Sequence, residues 1–83
     1  NDFWLGRAWA GGITGRQVID RFISQAPFYL ARTGRILLMQ STLSNADETQ
    51  LKFANCHMNS KVVAHLALPF FEKLLLLKAE FSI

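Results

Sequence analysis

The stretch that most limits what this chain can become is "LLLLKAEF", Leu74–Phe81, taken together with "RILLMQSTL", Arg35–Leu43. Neither alternates apolar and polar residues along its apolar part: Ile36–Met39 and Leu74–Leu77 are unbroken apolar runs. A strand that reads this way is covered on both faces, which requires helices above and below it and strand neighbours at its edges. The remaining sequence supplies two helical patterns and one further strand, "KVVAHLAL" (Lys61–Leu68), too little to cover two such strands from all sides. The expectation is an α/β fold forming the C-terminal part of a larger doubly wound sheet, with Leu74–Leu77 at an interior position.

Along the chain, Asn1–Thr14 reads as a loop, because Gly6, Gly11 and Gly12 punctuate it and its apolar residues follow neither the helical nor the strand period. A helix is predicted after Thr14, which is placed to cap it while Gln17, three residues on, reaches back as in a capping box. Ile19, Phe22, Ile23, Ala26 and Leu30 form its apolar face. Pro27 is expected to produce a kink or a fresh turn near Gln25, and Gly34 to close the element. Ser44 or Asn45 is placed to cap a second helix with Asp47 and Glu48 in its first turn and Leu51, Ala54 and Met58 on its apolar face. The order is loop, helix, strand, helix, strand, strand, and the last two strands, separated by Pro69–Lys73, form an antiparallel hairpin. The chain is thus a single partial domain over 1–83, a loop over 1–14 and the partial sheet with its helices over 15–83.

Composition removes several classes of function. With 83 residues, 51% apolar and 18% charged, the chain is one small globular unit, of a size that buries about 60–65% of its unfolded surface. The net charge of +3 comes from nine basic residues scattered from Arg7 to Lys78, which is no basic stripe, so no nucleic-acid partner is expected. Cys56 is the single cysteine; it excludes an internal disulfide and suits a reducing compartment. Cys56 and His57 are adjacent and His65 falls on a strand, a spacing unsuited to zinc, so no metal is expected. No charged-then-apolar leader opens the chain and "LLLL" is too short to cross a bilayer; the expected location is the cytoplasm, with no membrane partner. Asn1, in place of Met, suggests a piece of a longer protein.

The stretch "AWAGGITG", Ala8–Gly15, carries two open readings. It is either a connector with Trp9 packed on the sheet, or a loop whose Gly11, Gly12 and Gly15 let the backbone approach a ligand while Trp9 walls the pocket. Arg16 and Asp20 are spaced as a helical ion pair, or else orient the loop before them. Gln40, Ser41 and Thr42 end a strand at the edge where open α/β sheets bind ligands. His57 and His65 have no carboxylate or nucleophile at a telling spacing and read as ordinary residues. Pro69, Phe70 and Phe71 read as an apolar turn folded on the core, or as an exposed patch.

The succession "DFWLGRAWAGGITGRQVIDRF", "GRILLMQSTL" and "VVAHLALPFFEKLLLLKA" resembles the C-terminal half of the HemK-like class I methyltransferases, especially their archaeal and eukaryotic branch, over nearly the whole chain. The resemblance implies a Rossmann-like methyltransferase sheet of seven strands whose final strand is inserted antiparallel between its two predecessors. It implies methyl transfer from S-adenosylmethionine to a glutamine side-chain amide of a protein substrate such as a translation release factor. It places Trp9, Gly11, Gly12 and Gly15 on the substrate side. The family's glycine-rich cofactor loop and its Asn-Pro-Pro-Tyr motif precede this part of the fold, and neither occurs here. The implication is that these 83 residues contain no catalytic or cofactor-binding residue, are inactive alone, and need the missing N-terminal half to hold donor and acceptor in line. The alternative is a small interaction domain that completes its sheet by pairing with a second copy or another protein along Arg35–Thr42; a remnant of an RNA-associated methyltransferase is a third reading.

Overall fold

The computed structural model describes residues 7–13, 15–69 and 73–82, the first of these segments by its backbone alone. Its elements are β1 (Arg7–Ile13), α1 (Arg16–Tyr29), β2 (Arg35–Ser41), a 3₁₀ turn (Thr42–Ser44), α2 (Ala46–Asn55), β3 (Met58–Ala67) and β4 (Lys73–Phe81). The four strands form one mixed sheet in the order β1-β2-β4-β3. β1 runs parallel to β2, while β4 is antiparallel to both its neighbours. The expected α/β fold is present, the hairpin is antiparallel, and the unbroken leucine run lies inside the sheet.

The core follows from side-chain alternation along the two central strands. Ile36 and Leu38 of β2 lie opposite Ala79 and Leu77 of β4, and all four are buried. Ile19, Ile23, Ala26 and Leu30 of α1, Phe53 of α2 and Met58 of β3 complete the same cluster. Both helices therefore cover one face of the sheet. On the other face Leu37, Met39, Leu74 and Leu76 are only half-buried, and Met39, Ala64, His65, Leu66, Leu74 and Leu76 line a shallow apolar hollow. Two-sided cover, which the apolar runs call for, is supplied here on one side.

Several local expectations are corrected. Arg7–Ile13 is a strand rather than a loop; its glycines break the local pattern, but the parallel ladder to β2, a contact distant in sequence, imposes extended backbone. The N-cap of α1 is Gly15, with no side-chain cap hydrogen bond, while Thr14 lies outside the described residues. Pro27 sits inside α1, which runs on to Tyr29. The carbonyl that its missing N–H would have served is that of Ile23, and the Cys56 thiol donates to that oxygen with Sγ at 3.9 Å. The helix ends at Tyr29 with Leu30 as its C-cap, so Gly34 does not close it. Gly34 closes the following turn by donating to Ala31 O at 2.8 Å. On α2 the buried residues are Thr49 and Phe53, while Leu51 and Ala54 are exposed and Met58 belongs to β3. Asn45 does cap α2, its Oδ1 accepting from Glu48 N at 3.1 Å. Arg35–Thr42 is not a free edge, since β2 is paired on both sides; the outer strands are β1 and β3. Phe70 and Phe71 lie outside the described residues.

Gly34 is required by close approach. A Cβ there would stand 2.7 Å from Leu30 Cδ1 and 3.1 Å from the Ala31 carbonyl oxygen, and Leu30 is itself buried. Gly34→Ala is expected to destabilise the chain by about 1–2 kcal/mol through overpacking, read as a lower urea midpoint at unchanged slope; an unchanged midpoint would show that the turn yields freely.

Candidate functional site

The carboxyl ends of β1 and β2 lie side by side because the two strands are parallel, and this is the edge at which open α/β sheets take ligands. Trp9 stands in register with Leu37, within β1; its side chain lies outside the described residues. Between Ala10 and Ile13 β1 advances three residues while β2 advances two, from Leu38 to Gln40. One extra residue is therefore taken up at Gly11–Gly12. Glycine inside a strand commonly marks such a bulge, and bulges re-aim the backbone near functional sites. Gly15, one residue before α1, is extended at φ −120° and exposed, and a Cβ built on it meets nothing within 4 Å. Neither space nor backbone conformation within this chain demands glycine there.

A polar network lies directly beneath this rim. Arg16, the first residue of α1, donates from Nη1 to Ser44 O at 2.9 Å, to Asn45 O at 3.0 Å and to Thr49 Oγ1. From Nη2 it donates to Asp20 Oδ1 at 2.6 Å. Its Nε lies 2.7 Å from Glu48 Oε2, too poorly directed for a hydrogen bond, so that contact is an ion pair only. The Thr49 hydroxyl donates in turn to Gln40 Oε1 at 2.6 Å, and Gln40 Nε2 reaches Ser41 O and Ser44 O, each at 3.4 Å. Gln40 and Thr49 are fully buried, so each polar atom needs an internal partner. The expected Arg16–Asp20 pair is present, but it is one arm of a guanidinium that joins α1 to the β2–α2 turn.

The turn so held passes through a left-handed residue, Asn45, at φ 56° and ψ 82°, a conformation that asparagine adopts more readily than other non-glycine residues. It displays Leu43, which is 79% exposed. The other polar groups of the turn are engaged internally: Ser41 Oγ accepts from Leu43 N and Thr42 Oγ1 from Lys73 N. Gln40, Ser41 and Thr42 thus reach the rim, yet their side chains are occupied in holding the turn. Gln40 is committed through both its amide oxygen and its amide nitrogen, whereas Ser41 and Thr42 use their hydroxyl oxygens as acceptors in these contacts.

His65 is exposed on β3 beside the hollow, and His57 occupies the left-handed turn after α2, at φ 62°. Neither lies in the network. Among the described residues no three His, Cys, Asp or Glu side chains gather as a metal site, and no helix is long and apolar enough to cross a membrane.

No family model matches the sequence. Over 78 residues, 94% of this chain, it is 36% identical to a protein of Methanocaldococcus jannaschii described as an N5-glutamine methyltransferase. This similarity supports the resemblance to the C-terminal part of a HemK-like methyltransferase. The chain spans 39% of that relative's length. In structure it is similar to a precorrin-6y C5,15-methyltransferase of Geobacter metallireducens, with a TM-score of 0.69 at 16% identity, covering 92% of this chain and 44% of that one. That likeness concerns the fold: a mixed α/β sheet forming part of a Rossmann-like methyltransferase domain.

Sequence reasoning missed Thr49, Ser44 and the reach of Arg16. Two signals were available. A cation in the first turn of a helix opposes the helix dipole unless something else holds it, and a glutamine continuing the inward series Ile36, Leu38, Gln40 must find a buried partner. Removing the shared hydroxyl tests the network: Thr49→Val is expected to cost about 1–3 kcal/mol by stranding Gln40 Oε1, and Thr49→Ser under about 1 kcal/mol. Equal losses in chemical denaturation would argue that Thr49 contributes packing alone. Gly15→Ser should raise stability by a few tenths of a kcal/mol through N-capping; a fall would mean that Gly15 is held by contacts beyond the described residues.

Proposed function

We propose that this chain is the substrate-side part of an S-adenosylmethionine-dependent methyltransferase acting on a glutamine side-chain amide of a polypeptide such as a translation release factor. The observation that carries the reading is the 36% identity to the M. jannaschii protein, sustained over 94% of the chain. The geometry supports it: a bulged, glycine-containing strand end beside a rigidly tied turn forms one rim at the carboxyl edge of the sheet. Such a rim orients an acceptor. It offers no group that would activate one.

The division of labour follows from the chemistry. When bound, S-adenosylmethionine supplies the electrophilic methyl group. The residues of this chain wall and position the acceptor, and near-contact alignment of donor carbon and acceptor nitrogen supplies a large part of the rate in a transfer of this kind. On this proposal the cofactor-holding residues belong to the remainder of the protein, as the family resemblance implies. On this reading the 83 residues alone neither bind the cofactor nor catalyse, and the missing N-terminal half is their natural partner.

A second reading rests on β3, an outer strand with exposed Val62, Val63 and Leu66. Such an edge suits strand addition by a second copy or another protein. Calorimetric titration of S-adenosylmethionine separates the two. The full-length gene product should bind it and the 83-residue chain should not. Binding by the short chain would overturn the division of labour, and absence of binding by the full-length protein would leave the edge-pairing reading in its place.

A further inference from the structure

From the Arg16 network we infer a specificity device: Arg16 is a positioning residue that locks the β2–α2 turn so that Leu43 stands at the rim as an apolar contact for the methyl-accepting polypeptide. The inference rests on the methyltransferase reading and deepens it by naming how the acceptor is recognised. Leu43 is 79% exposed, yet the turn displaying it is held by side chains from α1, β2 and α2. Arg16 Nη1 binds two successive carbonyl oxygens, Ser44 and Asn45. Gln40 Nε2 adds a second contact to Ser44 O, and Ser41 Oγ takes the Leu43 amide itself at 3.0 Å.

Asn45 takes the left-handed conformation that asparagine tolerates, and while its Oδ1 caps α2 its carbonyl oxygen accepts from Arg16, so one residue ties the turn to both helices. Arg16 also follows Gly15 directly, so the guanidinium that fixes Leu43 is anchored at the end of the β1–α1 connection. The two parts of the rim therefore keep a constant spacing, and a guanidinium fork suits this because it reaches several carbonyls at once where an ammonium would reach one.

The test uses the full-length gene product, tritiated S-adenosylmethionine, and a release factor from the same organism as the varied acceptor. Leu43→Ser is expected to raise the KM for the release factor about five-fold, the scale of one lost apolar contact at a rim, leaving the KM for S-adenosylmethionine and the thermal midpoint unchanged. Arg16→Gln should raise the acceptor KM at least as much, with Arg16→Lys intermediate. An unchanged acceptor KM in Leu43→Ser overturns the inference even if the Arg16 variants fail to fold. A lowered thermal midpoint with unchanged acceptor KM in Arg16→Gln makes Arg16 purely structural and overturns it as well. Failure of the unmodified protein to methylate the release factor overturns the methyltransferase reading itself, and is seen before any variant is made.

Discussion

The pairing of β4 with β2 is the constraint on which the rest of the molecule depends. β4 is the last element in sequence, yet it lies between β2 and β3, so the sheet is continuous only once the C-terminal strand is in place. Its Leu77 and Ala79 form the floor on which Ile19, Ile23 and Phe53 rest. Without β4, Ile36 and Leu38 would lose the neighbours that bury them, and β3 would lose the only strand it pairs with among the described residues. Contacts this distant in sequence close late and slowly. The leucine run is the local counterpart of that position: an interior strand needs little polar alternation, whereas an outer strand such as β3 carries Asn59, Lys61 and His65 among its apolar residues.

Much of this was legible because it is written in short-range periodicity. The apolar spacing of α1, the interior place of β4 and the Asn45 cap each follow from residues within a few positions of one another. What escaped was set by distant partners. Glycines at 11 and 12 argue for a loop until a parallel neighbour at Leu38–Gln40 draws the backbone into a strand and takes up the surplus residue as a bulge. The buried side of α2 differs from the expected one because Phe53 shares it with Thr49, a polar side chain kept inside by Gln40 rather than by hydrophobicity. Leu51 and Ala54 have the apolar character that the period asks for, but no partner on the sheet. The candidate site shows the same division: Gly11, Gly12 and Gly15 stand out by composition as candidates, whereas Arg16, whose carbonyl partners lie 28 and 29 residues away, reads locally as half of an ordinary helical pair.

The sheet's uneven cover bears on function through the same physics. Helices close one face, while Met39, Leu66, Leu74 and Leu76 leave an apolar hollow on the other. In a parallel or mixed sheet with unbroken apolar runs, a half-covered face is an incomplete structure rather than a finished surface. This agrees with a chain spanning 39% of its methyltransferase relative. The rim is a different case. Its turn is tied within the described residues by Arg16, Gln40 and Thr49, with only Arg16 Nε relying on an ion pair in place of a hydrogen bond.

That tethering has a consequence for how recognition could diversify. Arg16 grips the turn through main-chain carbonyls of Ser44 and Asn45, which every residue type provides, and Gln40 likewise reaches backbone oxygens. The clamp is therefore insensitive to the side chain displayed at position 43. Changes at Leu43 alter what the rim presents without loosening the turn, whereas changes at Thr49 or Arg16 alter the turn itself. A scaffold built this way separates the residues that set geometry from the one that meets the acceptor, and a methyl transfer depending on alignment needs the first group constant while the second is free to suit its substrate.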